Sequence, residues 1–400
     1  MKAVFDDPQF SFQMLRLMGS ASVGQAEVGE CLAAAYRIEE GNFESWYTEW
    51  LKTARRVHLY ADDSLAGGHR VSAREAYLRA SNYYRAAEFY LHGDPSDPRI
   101  KELSDNSVSC FDKAMDLLLL SPERVEIPYE GITLPGIFYA VDDSGAHRPI
   151  LILQTGFDGT IEELYAGAAS ANRRGFNALT FEGPGQGRVI REQGLPFRPD
   201  WEKVVTPVVD YALSRGDVDP DRIALIGYSF GGYLAPRAAA FEPRLAACIA
   251  DGGIFDFMGS RIPPGTSREE FAQGVRDNPD DLNKGMEEMM KTNTEMRWAV
   301  ANGMYTFAAS TPAEWMDKCL DYELSGAAEK IRCPTLVIDG EEEASFPGQA
   351  KKLYDALTCP KEFLLFTAEE GAGDHCQVGT PLLSQQKIFD WLEEVFEKVK

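Results

Sequence analysis

Nowhere in the sequence do two cysteines form a C-x-x-C pair. The seven present (Cys31, Cys110, Cys248, Cys319, Cys333, Cys359 and Cys376) are odd in number and widely scattered. That excludes the common zinc spacings, argues against a disulfide framework and fits a reducing compartment. Basic residues are in the minority: 40 Lys and Arg stand against 63 Asp and Glu, a net charge of -23 over 400 residues. Nucleic acid and anionic membranes both call for clustered cations, so neither is an expected partner. Long hydrophobic runs are missing too, and no stretch could span a bilayer. Asp6 and Asp7 stand where a secretion signal needs its apolar core. The expectation is a soluble, cytoplasmic protein.

What is present reads as ordinary globular material, 44% hydrophobic and 26% charged. From Met1 to about Leu120 the pattern is helical, and residues 1–121 are expected to form an N-terminal helical domain. Between Ser72 and His92, small and aromatic residues (Ala76, Ala80, Tyr83, Tyr84, Ala87, Tyr90) recur at three- and four-residue spacing behind a Ser-x-x-Glu capping box. No 34-residue self-similarity follows, so a repeat array is not expected.

At Ser121-Pro122 the texture changes. Arg124–Tyr129 and Ile132–Val141 read as a hairpin with a Glu-Gly turn. Short apolar runs (149–154, 176–181, 222–227, 245–250) then alternate with helices at 160–174, 200–214 and 232–241. After a break the alternation resumes with a strand at 335–339, a helix at 348–357, a strand at 362–366 and a last helix from Leu382. Such alternation predicts an α/β fold, a mainly parallel sheet covered on both faces. Residues 122–253 form the first part of this core and 331–400 the second. The polar, Met-rich stretch 254–330 between them predicts a helical cap over the ligand crevice. The aromatic-rich helical domain and the cap methionines Met286, Met289, Met290 and Met296 would either wall the pocket with apolar surface or simply form core.

Gly227-Tyr228-Ser229-Phe230-Gly231 matches G-x-S-x-G. The motif alone is weak, but here a strand precedes it and a small-residue helix follows, as in a nucleophile elbow. Ser229 is therefore the candidate nucleophile, with the Phe230 N–H at the helix N-terminus as an oxyanion donor. Histidine is scarce, and of His58, His69, His92, His147 and His375 only His375 follows Ser229. It stands in a Gly-rich loop after the strand ending at Phe366, the place for a general base. The acid should follow strand 335–339, which selects Glu343 in Gly340-Glu-Glu-Glu343. Glu341, Glu342 and Asp339 are rivals, as are Asp251 and Asp256 after the preceding strand. The loop Thr155-Gly156-Phe157-Asp158-Gly159 should supply the second oxyanion donor, from the Phe157 or Asp158 N–H, with Gly156 allowing close approach. Asp158 and Glu163 could orient substrate, as could Tyr228. Gly183-Pro-Gly185-Gln-Gly187 lacks the spacing and the following helix of a dinucleotide site. Cys376, beside His375, is expected to be simply buried.

The stretches TGFDGTIEELY (155–165), FEGPGQG (181–187), GYSFGGYLAPRAAAFEPRLAACIADGG (227–253) and DHCQ (374–377) resemble the α/β-hydrolase group that contains 2,6-dihydroxypseudooxynicotine hydrolase and the fungal heptaketide hydrolases. The likeness spans residues 20–400. It implies an eight-stranded α/β-hydrolase fold with a leading helical domain and a Ser-acid-His triad. It further implies hydrolysis of a carbon–carbon bond next to a ketone in an aromatic or polyketide-like compound, without metal or organic cofactor, by a homodimer. The family's acid is usually Asp, whereas Glu stands at 343. An esterase, peptidase, acyltransferase or cyclase would use the same machinery, and a silent hydrolase fold serving as a binding protein is the alternative of another class. An acid-rich exterior around an apolar pocket favours a neutral or cationic aromatic ligand.

Overall fold

The computed structural model describes residues 1–398. Eight strands form one sheet: β1 (Glu123–Tyr129), β2 (Ile132–Tyr139), β3 (Arg148–Gln154), β4 (Asn177–Phe181), β5 (Val218–Tyr228), β6 (Ala247–Asp251), β7 (Thr335–Gly340) and β8 (Lys361–Phe366). Their spatial order is β1-β2-β4-β3-β5-β6-β7-β8. β1 and β2 pair antiparallel through a Glu130-Gly131 turn in which both residues have positive φ, the geometry that favours glycine. β2 also meets β4 antiparallel, and from β4 to β8 every pairing is parallel.

The central strands are apolar on both faces because both faces are covered. Ile150 and Ile152 of β3 join one core, which also holds Trp201, Val208 and the cap residues Phe307 and Trp315. Leu151 and Leu153, one step out of phase, join another with Trp46, Trp50, Tyr83 and Ile388. The second core runs without a break from the sheet into the N-terminal helices, so burial welds that domain to the sheet. Its helices are Pro8–Gly19, Val28–Ala35, Phe43–Ala66, Arg70–Glu88 and Pro98–Met115.

Several local expectations are corrected. The helix expected from Ser72 starts at Arg70 with His69 as its N-cap, which puts Ser72 inside the first turn, where it cannot cap. A capping box does form at Ser267 and Glu270, opening the first cap helix. The helix expected at 160–174 is regular only over Tyr165–Arg173, after turns that carry the chain away from β3. After Gly187 the chain makes a five-residue π-helical turn, Val189–Gln193, instead of an extended loop. The cap carries four helices, Arg268–Asp277, Pro279–Met290, Thr294–Thr306 and Pro312–Cys319.

Candidate active site

Loops after β3, β5, β6, β7 and β8 meet at the carboxyl ends of the parallel strands, where this architecture places ligands. Ser229 directly follows β5 and holds φ at +60°, a strained conformation for a residue with a side chain. Its surroundings enforce that turn. A Cβ on Gly227 would fall 2.0 Å from the Gly231 carbonyl oxygen, and one on Gly231 would fall 2.8 Å from that of Thr155. The Ser229 N–H donates to the Asp251 carbonyl at 2.9 Å and lies 3.1 Å from the Cys376 sulfur. Helix Gly231–Ala239 begins immediately behind, so its positive end faces the serine.

His375 is buried beside the same cavity, and its Nδ1 lies 2.5 Å from Glu343 Oε2. The other Glu343 oxygen accepts the Ser345 and Phe346 N–H groups at 2.7 and 3.0 Å. Burial raises the Glu343 pKa, but His375 and these backbone donors outweigh it and hold it below the usual glutamate value. For His375, burial opposes the charge, while Cys376 and Glu343 favour it and hold the imidazole pKa well above 6.5.

Four of the five rival acids are engaged elsewhere. Glu341 accepts the Ala368 N–H, Glu342 meets the Met1 amino group, and Asp339 accepts the Gly340 N–H. Asp256 pairs with Arg268 at 3.0 Å. Asp251 is 1% exposed with neither carboxylate oxygen hydrogen-bonded, and burial pushes its pKa up to about 7. Cys376, expected to be merely buried, also touches the backbone of the elbow, and burial raises its thiol pKa.

Gly156 brings the loop after β3 against the elbow: a Cβ there would fall 2.5 Å from the Phe230 nitrogen and 2.6 Å from the Tyr228 carbonyl oxygen. Among the described residues neither the Phe157 nor the Phe230 N–H has a protein acceptor. That pairing of free donors beside Ser229 is the chemistry an oxyanion hole requires. Three parts of the chain brace this loop. The Phe157 carbonyl accepts Asn302 Nδ2 from the cap at 3.0 Å. Asn302 Oδ1 meets His92 Nδ1 at 2.7 Å, and His92 Nε2 meets Glu88 at 2.8 Å. Arg191 then clamps Glu88 with two bonds of 2.9 Å. Asp158 and Glu163 do not stand free for a substrate. Both are held at 2.7 Å by Arg16 of the first helix, and Arg85 lies 3.3 Å from Glu163.

A cavity of about 620 Å³ contains Ser229, His375, Gly156, Phe157, Asp158 and Tyr228. Its walls are aromatic, with Phe5 and Phe12 from the N-terminal segment, Phe257, Trp298 and Trp315 from the cap segment, and Phe346 from a core loop. None of the four cap methionines reaches it; Met286 is buried, and Met290 and Met296 pack on the core. The helical domain was expected to help wall the pocket, but the residues that do so, Phe12 and Arg16 among them, stand in an otherwise unremarkable amphipathic helix. Among the described residues no cluster of three metal-ligating side chains occurs, and no helix is long and apolar enough to cross a membrane.

A family model described as "Alpha/beta hydrolase family" matches residues 145–386. Hydrolase acrC of Aspergillus aculeatus is 38% identical, over 97% of this chain and 96% of its own. The 20-hydroxy-prefusarin hydrolase FUS2 of Gibberella moniliformis is 37% identical, over 99% and 98%. Among solved structures, 2,6-dihydroxy-pseudo-oxynicotine hydrolase superposes with a TM-score of 0.73 at 25% identity, covering 94% of this chain and 95% of that one. Both halves of the chain, helical and sheet-bearing, thus have counterparts in these proteins.

Proposed function

The chain belongs to the alpha/beta hydrolase family, and from that premise we propose that it is a serine hydrolase cleaving a carbon–carbon bond next to a ketone in an aromatic or polyketide-like compound. The observation that carries this reading is the Glu343–His375 hydrogen bond beside a strained Ser229 in one aromatic-walled cavity. Likeness to 2,6-dihydroxy-pseudo-oxynicotine hydrolase over the whole chain, and the resemblance named above, support the choice of bond.

In this mechanism Glu343 holds the Nδ1–H of His375, leaving Nε2 to take the proton of Ser229 Oγ as that oxygen bonds to the ketone carbon. The Phe157 and Phe230 N–H groups receive the negative charge on the carbonyl oxygen. Collapse breaks the carbon–carbon bond and releases an enolate equivalent, which takes the proton from His375 at carbon. A water molecule then gives a proton to His375 and its hydroxide to the acyl carbon. A carboxylic acid leaves, and the proton returns to Ser229. No step calls for a metal or organic cofactor. The substrate is a small molecule, the cysteine pattern favours the cytoplasm, and the resemblance adds a homodimer, which sedimentation would measure.

The test places p-nitrophenyl esters, a dipeptide amide and an acyl-phloroglucinol-type diketone side by side. Cleavage of the diketone is expected. Fast ester turnover with an untouched diketone would assign the triad to ester or acyl-transfer chemistry instead. Fluorophosphonate should label the protein and spare Ser229→Ala; failure to label the wild type would favour a silent binding protein.

A further inference from the structure

Within the cavity most charged side chains are matched to partners; among the described residues Arg261 and Glu295 are not. Arg16 is neutralised by Asp158 and Glu163, Lys2 by Asp6, and His375 by Glu343. Arg261 also lines the cavity, and among the described residues no carboxylate lies within 4.0 Å of it. One of its terminal nitrogens donates to the Phe257 carbonyl at 3.0 Å; its remaining donors have no protein acceptor. The guanidinium carbon stands 5.5 Å from the Phe257 ring centre and 5.3 Å from that of Phe346. Phe346 in turn lies 6.1 Å from the His375 ring, so a single aromatic side chain separates Arg261 from the general base.

Two pocket rings thus pack against a planar cation that lines the cavity and is itself solvent-exposed. A guanidinium in this setting matches an anion with two oxygens, such as a carboxylate or the ionised enol of a 1,3-diketone, because both can accept a pair of its N–H groups. Weak hydration of the guanidinium favours such pairing even though the side chain is exposed. Glu295, also on the cavity wall, lies beyond 4.0 Å yet near enough to favour the Arg261 charge, while burial raises its own pKa. The overall charge of -23 suggests a neutral or cationic ligand, but that charge is spread over the exterior, whereas recognition is settled by the groups that touch the substrate.

We propose that Arg261 is a specificity-determining residue that binds a two-oxygen anion on the substrate, so that the enzyme prefers acyl compounds carrying a carboxylate or an acidic enol. The proposal rests on the serine-hydrolase reading and deepens it.

Two substrate pairs test it. The first is p-nitrophenyl hexanoate against the mono-p-nitrophenyl ester of adipic acid, which differ by a terminal carboxylate. The second is a C2-unsubstituted aryl 1,3-diketone against its 2,2-dimethyl analogue, which cannot form an enol. Wild type should favour the anionic member of at least one pair by about tenfold in kcat/KM, the weight of one charge-assisted bond. The pair that shows the preference identifies the anion. Arg261→Met should bring that ratio to about one. Arg261→Lys should keep part of it, and Glu295→Gln should raise it. A measurement on wild type alone guards against a misfolded variant: adipate should inhibit ester turnover about tenfold more tightly than hexanoate. Equal kcat/KM within both pairs together with equal inhibition, or a ratio unchanged in a folded Arg261→Met, would overturn the proposal. Failure of the serine-hydrolase reading shows differently, as loss of fluorophosphonate labelling and of all ester turnover.

Discussion

The Glu343 carboxylate sits 2.5 Å from Nδ1 of His375, while its second oxygen is pinned by the Ser345 and Phe346 N–H groups. A glutamate reaches one methylene further than an aspartate, and this turn uses its own backbone to hold that longer side chain in place. The acid and the base are therefore prepositioned without any contribution from a ligand.

Replacing Glu343 by Gln should lower kcat by about 10³–10⁴-fold, because the amide can neither select the imidazole tautomer nor balance its charge. Asp251→Asn should cost far less, since neither Asp251 oxygen is hydrogen-bonded. Steady-state rates of the two variants on one substrate compare them directly. A large loss confined to Asp251→Asn would relocate the acid to the end of β6.

The raised His375 pKa has a definite sign in the pH profile. The imidazole must be neutral to accept the Ser229 proton, so the acid limb of kcat/KM should lie above pH 6.5. Glu343→Gln should shift that limb downward. Stability follows the opposite course: the folded pKa exceeds the unfolded one, so the contribution of His375 is complete below about pH 6.5 and fades as pH rises through the folded value. Kinetic profiles and urea midpoints measured over one pH series would check both.

Gly156→Ala should damage catalysis more than folding. Its methyl would stand 2.5 Å from the Phe230 nitrogen, pushing apart the loop and the elbow that together offer the oxyanion donors. A drop of about 10²–10³ in kcat is expected, with fluorophosphonate labelling slowed in parallel. A variant with wild-type rates would remove this loop from the oxyanion site.

Asn302→Leu would strand two buried partners at once, the Phe157 carbonyl and His92 Nδ1. Destabilisation of about 1–3 kcal/mol is expected, read as a lower urea midpoint. The rate should fall as well, because the Phe157 loop would lose its tether to the cap.

Arg16→Met should be the costliest of these changes to stability. It would leave Asp158 and Glu163 largely buried without their main counter-charge, a loss of about 3–5 kcal/mol where one member of a buried pair is removed. Thermal unfolding should then show whether the N-terminal helices loosen before the sheet.

Much of this architecture was legible in the chain itself. Strand and helix periods announce the sheet, and G-x-S-x-G between a strand and a small-residue helix announces the elbow, because both are local patterns enforced by backbone geometry. Being the one histidine after Ser229 singled out His375 by order alone. The local reading failed where two signals competed within one turn, as at Ser72, where the helix had already begun, and at Val189–Gln193, where Gly194 and Pro196 masked a short helical turn.

Tertiary structure decided what order along the chain cannot express. Six carboxylates stood open as the triad acid, and the hydrogen bond to His375 Nδ1 distinguishes Glu343 among them. The bridges from Arg16 to Asp158 and from His92 to Asn302 join residues 142 and 210 positions apart, and no periodicity foreshadows them. Helix and strand propensity act over a few residues, whereas desolvation and charge pairing depend on which distant groups share a dry interior. The sequence by itself determined that a serine and a histidine would follow two strands of one parallel sheet. Only folding decided which carboxylate bonds the histidine, which N-terminal side chains line the cavity, and that Arg261 lies on its wall without an ion-pair partner.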